Sequence, residues 1–140
     1  ACKIITNGKI VAVDTKSMKP IYNVQFLKSD IFESETKDKI VNYFKGNLDV
    51  IISDMAADTT GNKSLDSIRT NQLCAEVLNF SSKILKPQGV LVSKLFMGED
   101  FIEVKTLAKS LFKNVNFFKP ESSRNESKET YLHCKILKTL

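Results

Sequence analysis

Residues 48–61 read Leu-Asp-Val-Ile-Ile-Ser-Asp-Met-Ala-Ala-Asp-Thr-Thr-Gly, and few folds accommodate such a stretch. Val50, Ile51 and Ile52 make a short β-branched run, which reads as a strand buried on both faces. The run stops on a carboxylate, Asp54, and opens into a small-residue loop holding Thr59, Thr60 and Gly61. A strand buried on both faces implies a sheet with helices on each side. In such sheets ligands sit in the crevice beyond the carboxyl ends of the strands. Asp54 stands at that position.

Two other runs close in the same way: Lys9 to Asp14, after the turn signal Asn7-Gly8, and Val24 to Asp30. Pro20 makes the segment between them a connector. A helix is expected over 34–44, capped by Ser34 and ended by Gly46, with Ile40, Val41 and Phe44 inward. A longer helix is expected over 66–86, with Cys74, Val77, Leu78 and Leu85 at helical spacing and Pro87 stopping it. Val90-Leu91-Val92-Ser93-Lys94 reads as a strand that ends in a lysine. Glu99 and Asp100 open a third helix, with Phe101, Val104, Ala108, Leu111 and Phe112 inside and Lys105, Lys109 and Lys113 outside. Residues 114–118 and 131–137 alternate as strands, the second with Leu132, Cys134 and Ile136 on one face. The polar segment 120–130 joins them without a helix, which favours an antiparallel hairpin. The expected fold is α/β: one domain over residues 1–140, with a mostly parallel sheet, right-handed crossovers and a C-terminal antiparallel hairpin.

Composition removes several function classes. A chain of 140 residues, 42% hydrophobic, buries a core, yet no apolar run approaches the roughly 20 residues of a membrane span. The N-terminus lacks the apolar region of a signal peptide. Cys2, Cys74 and Cys134 are odd in number and far apart, without a C-x-x-C pair. That argues against a disulfide framework or a zinc site and suits a reducing cytoplasm. The net charge of +5, from 21 Lys and Arg against 16 Asp and Glu, tilts mildly toward a nucleic acid partner.

Asp14, Asp30 and Asp54 each end a run. Carboxylates so placed accept from ribose hydroxyls, an adenine amino group or an ammonium, and aspartates also make turns and caps in such loops. Lys94 is the sharper observation, because an unpaired lysine at the end of a central strand is costly. Consecutive strands are usually neighbours, so Asp54 should lie beside it. A purely structural ion pair is the other reading. Glu129, entering the last strand, is a second candidate partner for the ammonium. His133, the only histidine, reads as structural. Lys119, Arg124 and Lys128 flank or punctuate a hydroxyl-rich loop able to grip phosphates, or simply to be solvated.

Three segments together resemble the FtsJ/RrmJ-type (RlmE) ribose 2′-O-methyltransferases of large-subunit ribosomal RNA. They are Ser53-Asp54-Met55-Ala56, Val92-Ser93-Lys94-Leu95-Phe96 with Gly98-Glu99, and Lys119-Pro120-x-Ser122-Ser123-Arg124-x-x-Ser127-x-Glu129-x-Tyr131. The resemblance implies a Rossmann-like domain using S-adenosyl-L-methionine and no metal, with ribosomal RNA as substrate. It assigns catalysis to Asp54, Lys94 and Glu129 and cofactor contacts to Asp14, Asp30 and Asp54; the RNA would then be gripped by Lys119, Arg124 and Lys128. The family's Asp-Met-Ala-Pro is Asp-Met-Ala-Ala here. The family's glycine-rich cofactor loop, its first strand and its first catalytic lysine have no counterpart in residues 1–8. The expectation is therefore a chain shortened at its N-terminus, inactive as it stands, with strand edges left unpaired at roughly 1–3 kcal/mol per buried group.

The ribose hydroxyl is a poor nucleophile, so the protein must align oxygen, methyl and sulfur and manage one proton. Lys94 either accepts that proton or orients an oxygen lone pair. A non-catalytic RNA-binding module and a nicotinamide-dependent oxidoreductase are the rival classes. The oxidoreductase shares the strand-end acids but has no use for Lys94 beside Glu129.

Overall fold

The computed structural model describes residues 3–122 and 127–139, and the chain divides into two units, Ala1–Asn47 and Leu48–Leu140. The strands correspondingly fall into two sheets.

In the first unit, β1 (Val11–Asp14) and β2 (Gln25–Lys28) pair in parallel, Val11 opposite Gln25 and Asp14 opposite Lys28. Helix α1 (Ser34–Phe44) follows, with Thr36 and Ile40 buried. Ser34 is its first residue and not its cap. Glu33 holds the cap position and makes no side-chain capping bond. At the other end Lys45 and Gly46 turn left-handed (φ 55° and 69°), and the Gly46 N–H donates to the Val41 carbonyl. That closure satisfies carbonyls the helix would otherwise leave open.

The second unit runs β3 (Leu48–Ser53), α2 (Lys63–Ile84), β4 (Leu85–Phe96), α3 (Phe101–Leu111), β5 (Phe112–Phe118) and β6 (Glu129–Leu137). Its sheet has the order β3-β4-β6-β5. β3 and β4 are parallel, a pairing that needs a crossover, and α2 supplies it. β6 enters antiparallel between β4 and β5, giving the expected terminal hairpin. Alternation then sorts the side chains. Leu91, Leu95, Leu132 and Cys134 are fully buried, together with Leu78 of α2, Ala108 of α3 and Phe112. Val90, Val92, Lys94 and Phe96, on the other face of β4, are half-buried.

Several expectations need correction. α2 starts at Lys63, where the Asn62 side chain accepts the N–H groups of Ser64 and Leu65. It ends at Ile84, before Pro87, because β4 begins at Leu85 and pairs with Leu48 ahead of a bulge. The run Val50-Ile51-Ile52 is not buried on both faces: Val50 is 50% and Ile52 67% exposed. The physical reason is position, since β3 is an edge of its sheet among the described residues. Ile136 leaves the alternation of β6 through a left-handed φ of 61°. Cys74 and Cys134 are free, buried thiols, and burial pushes them up to about 11 and about 12, which marks them as packing residues. Cys2 lies outside the described residues. Among those residues no helix is long and apolar enough to cross a membrane.

Candidate active site

The register of β4 and β6 builds the site. Lys94 faces Tyr131 across the strands and Phe96 faces Glu129, so alternation puts Lys94, Tyr131 and Glu129 on one face. β3 pairs Ser53 with Ser93, which brings Asp54, the next residue, alongside Lys94. The Lys94 Nζ lies 3.1 Å from Asp54 Oδ1 and 3.7 Å from Glu129 Oε2. The lysine side chain is only 13% exposed, whereas that of Asp54 is 67% exposed. A nearly buried ammonium thus meets two carboxylates, one of them open to solvent. The three residues expected to meet do so.

Tyr131 completes the constellation. Its hydroxyl donates to Asp54 Oδ1 at 2.6 Å and lies 3.4 Å from Glu129 Oε1. Asp54 Oδ1 therefore takes both a phenol proton and the ammonium, and short charge-assisted bonds of this kind fix geometry. Sequence reading gave Tyr131 no role, although Glu129-x-Tyr131 places both residues on one face of a strand. Bonding to Asp54, then loss of solvent, then the charges of Asp54 and Glu129 hold the phenol protonated well above the usual tyrosine range. An ionisation raised in the folded state contributes stability below the unfolded value, near pH 10, that is lost as pH rises past it. Tyrosinate absorbance should accordingly show Tyr131 ionising late. Tyr131→Phe should abolish that late step; an unchanged titration would show that the hydroxyl does not bind Asp54.

Asn71 supports the site from behind. Fully buried on α2, its side chain accepts the Phe96 N–H at 2.8 Å and donates to the Phe96 carbonyl and to Asp100 Oδ1, both at 2.9 Å. It thereby locks the strand two residues past Lys94. Polar character at a position in phase with Cys74 and Leu78 was the available signal.

Asp14 and Asp30 belong to the first unit. Each carboxylate accepts a backbone N–H two residues on, from Lys16 at 2.8 Å and Phe32 at 2.9 Å, the geometry of aspartate turns. Lys119 Nζ donates to the Ser127 carbonyl at 2.6 Å. Lys128 is exposed, and its carbonyl receives the Met97 N–H at 2.8 Å. These contacts tie both ends of the polar loop to the rim bearing Glu129. Arg124 lies outside the described residues.

A family model described as FtsJ-like methyltransferase matches residues 1–137. The protein named ribosomal RNA large subunit methyltransferase E in Pelagibacter ubique is 45% identical over 136 residues, covering 97% of this chain and 67% of that protein. Its namesake in Rickettsia akari is 44% identical over 126 residues, covering 90% and 56%. The chain thus spans between about half and two thirds of the length of these curated relatives. A Plasmodium falciparum structure described as a ribosomal RNA methyltransferase superposes with a TM-score of 0.80 at 29% identity, covering 92% of this chain and 72% of that one. Human methyltransferase-like protein 13, solved with SAH, shares the fold at a TM-score of 0.62 and 18% identity, covering 91% and 61%.

Proposed function

The chain belongs to the FtsJ-like methyltransferase family, and from that premise we propose that it forms the catalytic part of an enzyme methylating a ribose 2′-hydroxyl of large-subunit ribosomal RNA. The observation that carries this reading is the Lys94 amine held between Asp54 and Glu129. The names of relatives 44–45% identical support the substrate class.

The cofactor of this reading is S-adenosyl-L-methionine, which when bound supplies a methyl group already activated on a sulfonium. The donor set suits it, since carboxylates after strands accept from ribose hydroxyls and ammonium groups. Asp14, Asp30 and Asp54 take that role. Lys94 orients the 2′-oxygen so that a lone pair faces the methyl group. Asp54 and Glu129 fix the ammonium in place, and the open side of Asp54 gives the hydroxyl proton a route to water. Tyr131 keeps Asp54 from swinging away. Lys119, Arg124 and Lys128 grip phosphates of the RNA. A cytoplasmic location belongs to the same reading.

The edge of β3 that lacks a partner among the described residues, with Val50 and Ile52 exposed, supports a second element of the reading: the sheet needs one more strand there. The 140 residues alone are then inactive. Tritium transfer from labelled S-adenosylmethionine to large-subunit ribosomal RNA tests this. Transfer by residues 1–140 fused to the glycine-rich N-terminal segment of a relative, and none by residues 1–140 alone, is the expected pair of results. No transfer by either would remove the function.

A further inference from the structure

We propose that Phe118, backed by Tyr131, is a stacking platform for a nucleobase of the RNA strand whose ribose reaches Lys94; this rests on the RNA methyltransferase reading above. Phe118 closes β5 directly opposite Tyr131, and the two rings stack with centroids 5.7 Å apart and planes 22° from parallel. The hydroxyl of the same Tyr131 touches Asp54. One tyrosine therefore links the aromatic surface to the catalytic carboxylate, so a base on Phe118 and a sugar at Lys94 lie within reach of one short segment of RNA.

Core packing does not account for Phe118. The face of β5 toward the helices carries Val115 and Phe117, and the Phe117 ring packs on Phe101 of α3 with centroids 4.9 Å apart. The other face reads Asn114, Asn116, Phe118, two exposed amides and then a large ring left 46% exposed. Its backbone is held firmly: the hydroxyl of buried Thr130 donates to the Phe118 carbonyl at 2.8 Å. Exposed Lys119 follows at once, and exposed Lys128 precedes Glu129 on the neighbouring strand. An exposed ring on a rigid strand with cations beside it is how single-stranded RNA is held, bases on aromatic faces and phosphates on lysines. Every base has a π-face, so this surface grips an unpaired nucleotide whatever its identity. A duplex offers it nothing.

The test is binding of a short single-stranded oligoribonucleotide carrying 2-aminopurine to the full chain, and to Phe118→Leu and Phe118→Trp. The leucine variant keeps apolar bulk and loses the ring. It should bind roughly 5- to 100-fold more weakly with an unchanged melting temperature, and should no longer quench 2-aminopurine. The tryptophan variant should retain both affinity and quenching. An abasic oligonucleotide should bind wild type and the leucine variant alike. Equal binding of the base-bearing oligonucleotide by wild type and the leucine variant would overturn the platform, as would a leucine defect that persists with the abasic one. Those results leave methyl transfer to RNA standing. A wild-type chain that binds no RNA at all overturns both.

Discussion

Lys94→Ala should lower methyl transfer to RNA by roughly 10²- to 10⁴-fold while S-adenosylmethionine still binds. Among the described residues the lysine is the cation that the two site carboxylates hold, its nitrogen 3.1 Å and 3.7 Å from them. Truncating it leaves Asp54 and Glu129 facing each other across an empty position, without the amine that the proposed mechanism uses to orient the hydroxyl. No carboxylate is removed, so on the proposed reading the loss belongs in kcat. Lys94→Arg is the useful control. Arginine keeps the charge, but its planar fork places nitrogens where a compact ammonium was, so activity should not return. Retained activity in either variant would take Lys94 out of its role. Loss of cofactor binding alongside activity would instead show a structural ion pair whose removal unsettles the rim.

Asn71→Leu should cost about 2–5 kcal/mol of stability and reduce kcat in whatever protein remains folded. The buried amide satisfies the Phe96 N–H, the Phe96 carbonyl and Asp100 Oδ1 together. Leaving a buried donor or acceptor unmet costs roughly 1–3 kcal/mol each, and leucine meets none of them. Stabilities of whole domains are about 5–15 kcal/mol, so the change is large. The defect should also reach function, because Phe96 anchors the strand that presents Lys94 and faces Glu129. Chemical denaturation with kinetics on the folded fraction checks both halves. A variant as stable and as fast as wild type would show that water replaces the amide without loss.

How much of this was readable beforehand follows from what each residue depends on. Lys94 was conspicuous because an ammonium after Val-Leu-Val-Ser needs a partner wherever the strand lies. Asp54 followed from chain order, since consecutive strands tend to pair. Glu129 became a candidate only through Lys94 and Asp54 on the same rim, because nothing local fixes where an acid at a loop's end will point. Tyr131 was missed for a related reason: its hydroxyl meets Asp54 only through the antiparallel register of β4 and β6, and strand spacing alone does not set that register. Asn71 was hidden in a helical stripe read by its apolar members. Val50 and Ile52 misled in the opposite direction. Their chemistry is that of a central strand, but burial requires a neighbour, and within the described sheet β3 has one only on the β4 side. The extra turn at the start of α2 and its early end at Ile84 are boundary effects, set by the Asn62 cap and by pairing of Leu85 with Leu48.

Where the transferred methyl resides is the most direct question to put to the site. Large-subunit ribosomal RNA labelled by the fused chain would be digested to nucleosides and separated. The proposed ribose chemistry predicts that all the label elutes as a 2′-O-methylnucleoside, and that Lys94→Ala abolishes it. Label on a base, or RNA that stays unlabelled, would contradict the account.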